Sequence, residues 1–447
     1  MPSDLLIGLD LGTTTAKASV YAVDGTKVAE GRAATPWGTH ARGVEAEATD
    51  IRDSAFRALA AAAESAPAGT IRAVGVASIA ESGVYLDRDG ESVAPVIAWH
   101  DKRDRLELED LDRDLGAREF SGRTGLPFRQ QWSITKSRWI DRHVPGSRRA
   151  VTRMNIAEWI VHSLGGRATS EPSLSARTGW FDVEANAWWA EGVAFAGLRA
   201  DVFPPLAECG ERLGEAGAGV HPRLRGAALT VAGHDHQAAA AGLEMWSDGD
   251  VFDSCGTAEA LVRTASRGLG RDDLLRLTDA GMTVGPHALP GRLCVLGGTE
   301  GGLQLGRVLR ILGVDDLRDG LDEAARASSG SLSIEFDGGG RAAIAGLGDD
   351  ASPAALWRAA VEAVTDDADR LARCMTEVVG PNRRVVAAGG WTASATLMDA
   401  KRRRWGDVLM VPDTEAGSRG AALFAGVAGG LWSSVETSSF VPIGAVR

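Results

Sequence analysis

The sequence predicts an α/β protein whose two halves form structurally similar lobes facing each other across a cleft. The chain has 447 residues, whereas single domains usually hold about 100–200, so two large domains or one two-lobed body are expected. Short apolar runs of strand length alternate with longer stretches of helical periodicity. One local pattern also occurs twice. Leu5-Leu6-Ile7-Gly8-Leu9-Asp10 runs into Leu11-Gly12-Thr13-Thr14, and Val251-Phe252-Asp253 runs into Ser254-Cys255-Gly256-Thr257. Each is an apolar strand, an Asp and a Gly-Thr turn.

Leu5–Asp10 reads as a buried strand, and Ala16–Tyr21 as its alternating partner. Asp24-Gly25 then supplies a hairpin turn, because a type I′ turn needs positive φ at its centre. The opening is therefore an antiparallel meander. An Ala-rich helix over 50–65 leads into a strand at 73–78. Val84–Leu86, Asp89-Gly90 and Pro95–Trp99 read as a second hairpin. A charged helix over 101–118 turns Leu108, Leu111 and Leu115 inward. The Pro- and Gly-rich stretch 200–230 reads as a linker or surface region, with a strand from Leu229. In the second half, Ser352-Pro353 starts a helix with a hydroxyl cap and Pro in its first turn. Gly380-Pro381 stops it, and Arg384–Gly390 is a buried strand ending in a Gly pair.

Composition excludes several function classes. With 48 Lys+Arg against 60 Asp+Glu, the net charge of −12 argues against a nucleic-acid partner, which needs clustered positive charge. The one basic run, Lys401-Arg402-Arg403-Arg404, reads as a solvated helix face. No apolar stretch approaches the ~20 residues of a membrane span. The four cysteines, Cys209, Cys255, Cys294 and Cys374, form no CxxC pair, and a reducing cytoplasm is expected. Trp159, Trp180, Trp188 and Trp189 read chiefly as core, with a homodimer contact as their other use.

Four Gly-rich junctions could carry chemistry. Asp10 with Gly12, Thr13 and Thr14 places a carboxylate beside backbone N–H groups and hydroxyls that can wrap phosphate oxygens, with Lys17 adding charge nearby. Such an Asp can hold Mg²⁺ directly or through water. A tight hairpin with ordinary turn residues is the bland alternative. Gly233-His234-Asp235-His236-Gln237 puts an Asp at a strand-to-helix junction, where it could accept a hydroxyl proton during phosphoryl transfer. Two other readings compete there. His234 and His236 could ligate zinc, with His287 or a distant carboxylate as third ligand, or the group could be a satisfied polar cluster. Gly297–Gly302, which includes Gly301, and Gly389-Gly390 followed by Ser394 could let a nucleotide lie against the backbone.

Taken together, these motifs resemble the FGGY family of carbohydrate kinases, within the actin-like ATPase superfamily. Asp10-Leu11-Gly12-Thr13-Thr14 is similar to the family's first phosphate motif, and Asp253–Thr257 to its second. Gly233–Gln237 is similar to its catalytic-base segment, Ala388–Ser394 to its adenosine motif, and Glu415–Ala422 to its closing glycine segment. The resemblance implies two ribonuclease-H-like lobes, 1–243 for sugar, phosphate and base, and 244–447 for nucleotide. It also implies ATP- and Mg²⁺-dependent phosphorylation of a hydroxyl on a small sugar: a ketose such as a pentulose, a sugar acid or a polyol. Asp235 would be the base and Asp10 would organise Mg²⁺. Gly12, Thr13, Thr14, Lys17, Gly256, Thr257, Gly301, Gly389, Gly390 and Ser394 would bind nucleotide.

On the substrate side, Glu81 falls where the glycerol kinase branch of the family has a hydroxyl-binding Glu. Trp99 matches the family's tryptophan beside the substrate, Gln131 falls where a substrate-facing Tyr occurs, and His236 adjoins the base. For Trp99 and Gln131, ordinary packing is the competing reading. The sequence lacks the family's Pro-Tyr-Leu-x-Gly-Glu-Arg segment; only Ile334–Gly340 occupies that region. Two rival functions remain at this point: a non-catalytic ATP- and sugar-binding switch, and a metal-dependent hydrolase built on His234 and His236.

Overall fold

A computed structural model describes residues 3–266, 268–314, 320–328, 331–337, 341–349, 351–411, 415–442 and 444. The first sheet comprises β1 (Ser3–Leu11), β2 (Thr15–Ala22), β3 (Lys27–Ala34), β4 (Gly69–Ser78) and β5 (Ala228–His234), ordered β5-β4-β1-β2-β3. β1, β2 and β3 form the antiparallel meander, while β4 and β5 run parallel to β1. The second sheet comprises β6 (Asp250–Cys255), β7 (Glu259–Ala265), β8 (Thr283–Pro286), β9 (Leu293–Thr299), β10 (Arg384–Ala388) and β11 (Val408–Met410). Its order is β8-β9-β7-β6-β10-β11. Apart from β8, the two sheets share one plan. A meander runs third, second, first, and two parallel strands follow on the far side of the first. The repeated strand–Asp–turn pattern thus marks the first hairpin of each lobe.

Helix α1 (Ala48–Ser65) covers one face of the first sheet through Ile51, Ala55, Ala58, Leu59 and Ala62, all buried. Helices α2 (Asp235–Gly242) and α6 (Ala416–Ala428) lie on its other face, where their small side chains permit close packing. The end of the chain therefore returns to the first lobe's sheet. In the second lobe, α3 (Gly301–Leu312) begins after β9, and α4 (Pro353–Val379) lays Leu371 and Met375 on the sheet. Ser352 caps α4 by accepting from Ala355 N at 3.2 Å, as its sequence predicts. α5 (Ala395–Trp405) follows β10.

Several expectations are corrected. Residues 83–86 do not pair with 95–99. They pair with Thr152–Asn155, and Val96-Ile97 pairs with Glu45-Ala46, because both short strands find longer-range partners that cover the site. The expected helix over 101–118 is two helices, Arg105–Asp114 and Ala117–Thr124, broken at Gly116 with φ +86°. Of Leu108, Leu111 and Leu115, only Leu111 is fully buried. The stretch 200–230 is no linker: Val202, Leu213, Ala216 and Leu224 are buried in it, and its polar spacing disguised that. Trp159, Trp180 and Trp189 are buried in the core. Of Ile334–Gly340, residues 338–340 lie outside the described residues. Among the described residues no helix is long and apolar enough to cross a membrane.

Candidate active site

Neighbouring strands β1, β4 and β5 run parallel, and their C-terminal ends deliver Asp10, Ser78 and His234 to one edge of the first sheet, where ligands of open α/β sheets bind. The turn after β1 is held tightly: Gly12 N donates to Thr15 O at 3.1 Å, and Thr35 Oγ1 donates to Gly12 O at 2.9 Å. Asp10 Oδ1 is buried with no hydrogen-bond partner. Burial, reinforced by the charge of Asp235, raises the Asp10 carboxyl to about 7. Gly417, in the first turn of α6, is required at its place. A Cβ there would come within 2.3 Å of Asp10 Oδ2. Lys17 Nζ pairs with Glu415 Oε2 at 3.1 Å beside this turn.

Asp235 is the first residue of α2. Its Oδ1 accepts from the His236 backbone N at 2.6 Å and from His236 Nδ1 at 2.8 Å, while His234 Nε2 lies 3.2 Å away. Burial works to raise its pKa, but His236 and then His234 outweigh it and hold the carboxyl well below the usual range. His236 is lifted by Asp235 against the effect of burial, whereas burial pushes His234 well down. His287, the expected third metal ligand, has its ring nitrogens elsewhere: Nδ1 accepts from Leu289 N at 3.0 Å, and Nε2 lies 3.4 Å from Thr264 Oγ1.

Glu81, Gln131 and Trp99 form a wall beside this centre. Glu81 is 4% exposed and adopts φ +65°, a conformation that costs a non-glycine residue energy and is kept mainly at functional sites. Its Oε1 accepts from Arg177 Nε at 2.7 Å, Arg177 Nη2 at 2.6 Å and Gln131 Nε2 at 3.3 Å. Arg177 also donates from Nη1 to Thr283 Oγ1 on β8 at 3.0 Å, so one side chain joins the Glu81 wall to the second lobe. Trp99 Nε1 donates to Thr13 Oγ1 at 3.0 Å, which ties the wall to the first Gly-Thr turn.

On the second lobe, Gly256 and Thr257 lie in the turn between β6 and β7. Gly389 approaches that turn so closely that a Cβ would lie 2.5 Å from Cys255 O, and its φ is +117°. Gly390 opens a short 3₁₀ turn, and Ser394 caps α5 by accepting from Leu397 N at 3.1 Å. The Ser394 hydroxyl donates to Asp322 Oδ1 at 2.6 Å, and Asp322 also accepts from Trp357 Nε1 at 2.9 Å. Gly301 opens α3, its N–H donating to Thr299 Oγ1 at 3.2 Å.

Beneath these segments lies a buried charge network. Lys401 is 1% exposed, and its ammonium is bound by Asp253 Oδ2 and Glu259 Oε1. Glu259 Oε2 in turn accepts from Thr299 Oγ1 at 2.9 Å. Burial raises Asp253 to about 6 against the pull of Lys401. The basic run at 401–404 is thus no uniform solvated face. Lys401 turns inward, while Arg403 and Arg404 pair with Glu362 outside. A run of four bases cannot all face one way on a helix of 3.6 residues per turn.

The structure therefore brings Asp10, Gly12, Thr13, Glu81, Trp99, Gln131, Asp235 and His236 into one connected region, and Gly256, Gly301, Gly389 and Ser394 into a second. Arg177, Lys401, Glu259 and Asp322 were missed. Arg177, Glu259 and Asp322 are single charged residues and Lys401 is one base of a run, so only burial against a distant partner reveals each of them.

Two α/β lobes of one strand plan, with Asp-bearing Gly-Thr turns, define the class as a two-domain actin-like ATPase fold. The description "FGGY family of carbohydrate kinases, N-terminal domain" matches residues 5–242, and the chain belongs to that family of phosphotransferases. Glycerol kinase from Bordetella parapertussis is 27% identical, the match covering 97% of this chain and 90% of that protein. A solved xylulose kinase from Rhodospirillum rubrum is 23% identical with a TM-score of 0.87, covering 99% of this chain and 93% of that one. A solved gluconate kinase from Lactobacillus acidophilus is 17% identical with a TM-score of 0.88, covering 100% and 93%.

Proposed function

We propose that the protein transfers the γ-phosphoryl group of ATP to a hydroxyl of a small polyhydroxy compound, with Asp235 as the general base. The observation that carries this is the pairing of unlike carboxylates on one sheet edge. Asp235 is kept ionised by two imidazoles, while Asp10 keeps a buried oxygen without a partner. An ionised Asp235 can hold the substrate hydroxyl and take its proton. In a loose phosphoryl-transfer transition state that proton becomes acidic late, so a weakly basic carboxylate suffices.

Asp10 fits Mg²⁺, since hard cations take carboxylate oxygen and this one has no other partner. When bound, Mg²⁺ would neutralise phosphate charge. The N–H groups and hydroxyls of Gly12, Thr13 and Thr14 would receive phosphate oxygens from the first lobe, and those of Gly256 and Thr257 from the second. Gly301, Gly389, Gly390 and the Ser394 cap would border the nucleoside, and Lys17 would add positive charge. The division at 243/244 separates the base from the nucleotide turns. Trp99 would pack on C–H faces of the substrate, while Glu81, Gln131 and His236 receive its hydroxyls.

The names of similar proteins span a polyol, a ketose and a sugar acid, so they leave the substrate class open. A coupled ADP-release assay across alditols, ketoses and sugar acids with Mg²⁺ tests the reading. Substrate-dependent ADP release that Asp235→Asn abolishes is expected. Wild-type turnover in that variant would overturn the base assignment.

A further inference from the structure

The wall around Glu81 has a charge pattern that hydroxyl binding does not use. Arg177 neutralises Glu81, Arg103 pairs with Asp101 and Glu45, and Lys136 lies 3.7 Å from Asp104. Arg129 differs. Its Nε donates to Gln131 Oε1 at 3.0 Å, and its guanidinium lies over Trp132, 5.4 Å from the ring centroid. Among the described residues its terminal nitrogens have no protein partner, and no carboxylate lies within ion-pair distance of it. Burial and the nearby charge of Arg177 work against its charged form and the charge of Glu81 favours it, and an arginine stays charged at any ordinary pH. Next to it Lys102 is exposed, its Nζ donating only to the Gln130 carbonyl at 3.3 Å. A protein with net charge −12 therefore keeps two cations beside its candidate substrate site that have no ion-pair partner among the described residues.

The contacts order the groups in a line. Asp235 binds His236, and His236 feels Arg177. Arg177 binds Glu81, which holds Gln131, which holds Arg129. Asp235 and Arg129 are thus the two termini of one chain of contacts that runs through Arg177, Glu81 and Gln131. Trp132 fixes the plane of the guanidinium, leaving a fork of N–H donors that matches a carboxylate bidentately.

We propose that the substrate is a polyhydroxy carboxylate, its hydroxyl to be phosphorylated at Asp235 and its carboxylate received by Arg129, with Lys102 assisting. This rests on the kinase reading above and selects one substrate class within it. It also gives Gln131 a role: the side chain is held between Glu81 and Arg129, and so spaces the hydroxyl-binding group from the anion-binding one.

The test compares aldonates of four to six carbons with the alditols and ketoses of equal length, plus the corresponding sugar phosphates. Both ADP release and calorimetric binding are read. Aldonates should give kcat/KM at least about tenfold above their neutral counterparts, the range of a hydrogen bond to a charged group. Arg129→Gln should raise KM for the aldonate about tenfold more than for any neutral compound, with kcat changing less. Arg129→Lys, which keeps charge but not the fork, should recover part of that loss. Preference for a neutral compound, preference for a sugar phosphate, or equal losses in Arg129→Gln would each overturn the proposal. The kinase reading fails separately, if no compound gives ADP. In that case binding still decides, because an alditol bound as tightly as its aldonate removes the anion site.

Discussion

The two Asp–Gly-Thr turns begin from nearly the same sequence and end in opposite electrostatic states. Asp10, at the end of β1, has an oxygen buried without a partner and faces the charge of Asp235. Asp253, three residues before its turn glycine on β6 where Asp10 is two before its own on β1, is bound by the ammonium of Lys401, which Glu259 shares. One carboxylate keeps an oxygen without a partner among the described residues; the other is paired with an ammonium of the protein itself. The strand and turn supply only the position of the acid. The chemistry follows from the element packed behind it: Gly417 of α6, which brings no side chain to Asp10, or Lys401 of α5, which brings a cation to Asp253.

The comparison breaks most visibly in catalysis. Asp235→Asn is expected to lower kcat by about 10²–10⁴, the usual worth of a general base, with an unchanged circular dichroism spectrum. Asp10→Asn should show a loss of similar order together with a weakened Mg²⁺ requirement. Asp253→Asn should retain far more turnover than either. If it is as inactive as Asp10→Asn, the two turns are functionally equivalent and the distinction falls.

Stability should show the reverse ranking. Lys401→Met strands two buried carboxylates, and removing one partner of a buried pair costs about 3–5 kcal/mol. Urea unfolding should show that loss, whereas Asp10→Asn, which breaks no pair, should be near neutral or stabilising. A Lys401→Met variant within 1 kcal/mol of wild type (about a fivefold change in the unfolding constant) would remove the network from the second lobe's framework.

A smaller effect is expected from pH. The Asp10 carboxyl is raised to about 7, by burial first and then by Asp235. A proton and Mg²⁺ compete for the same oxygen, so the Mg²⁺ concentration for half-maximal turnover should rise as pH falls from 8 to 6, by up to about tenfold per unit below 7. Above 7 it should level off. A flat profile would show that Asp10 does not bear on the metal. The smallest change is expected from Trp99→Phe. It removes the 3.0 Å bond to Thr13 Oγ1, worth about 0.5–1.5 kcal/mol of stability, and should cost a few-fold to about tenfold in kcat/KM with a stability loss no larger than that.

The sequence determined the opening meander and the two Asp–Gly-Thr turns by itself, because both are local. An apolar run of fixed length makes a strand, and Gly-Thr after an Asp makes a turn that exposes N–H groups, whatever packs around them. The repeat of that pattern marked two lobes, and the helix over Pro353–Val379 was legible from its cap, its period and its Gly-Pro stop. Glu81, Trp99 and Gln131 were reached only through resemblance, since a lone Glu, Trp or Gln has no local signature. Tertiary structure decided the partners of every one of these groups. Lys401 reads as one base in a solvated run, and only the packing of α5 under β6 makes it the counter-ion of Asp253. Arg177 meets Glu81 across 96 residues of chain. Arg129 and Lys102 differ from Arg103 and Arg177 in having no ion-pair partner among the described residues, which no window of sequence can show. Local pattern fixes where a carboxylate stands. Whether it is ionised, paired or left open is set by long-range Coulomb and desolvation terms, and those exist only once the lobes have closed around it.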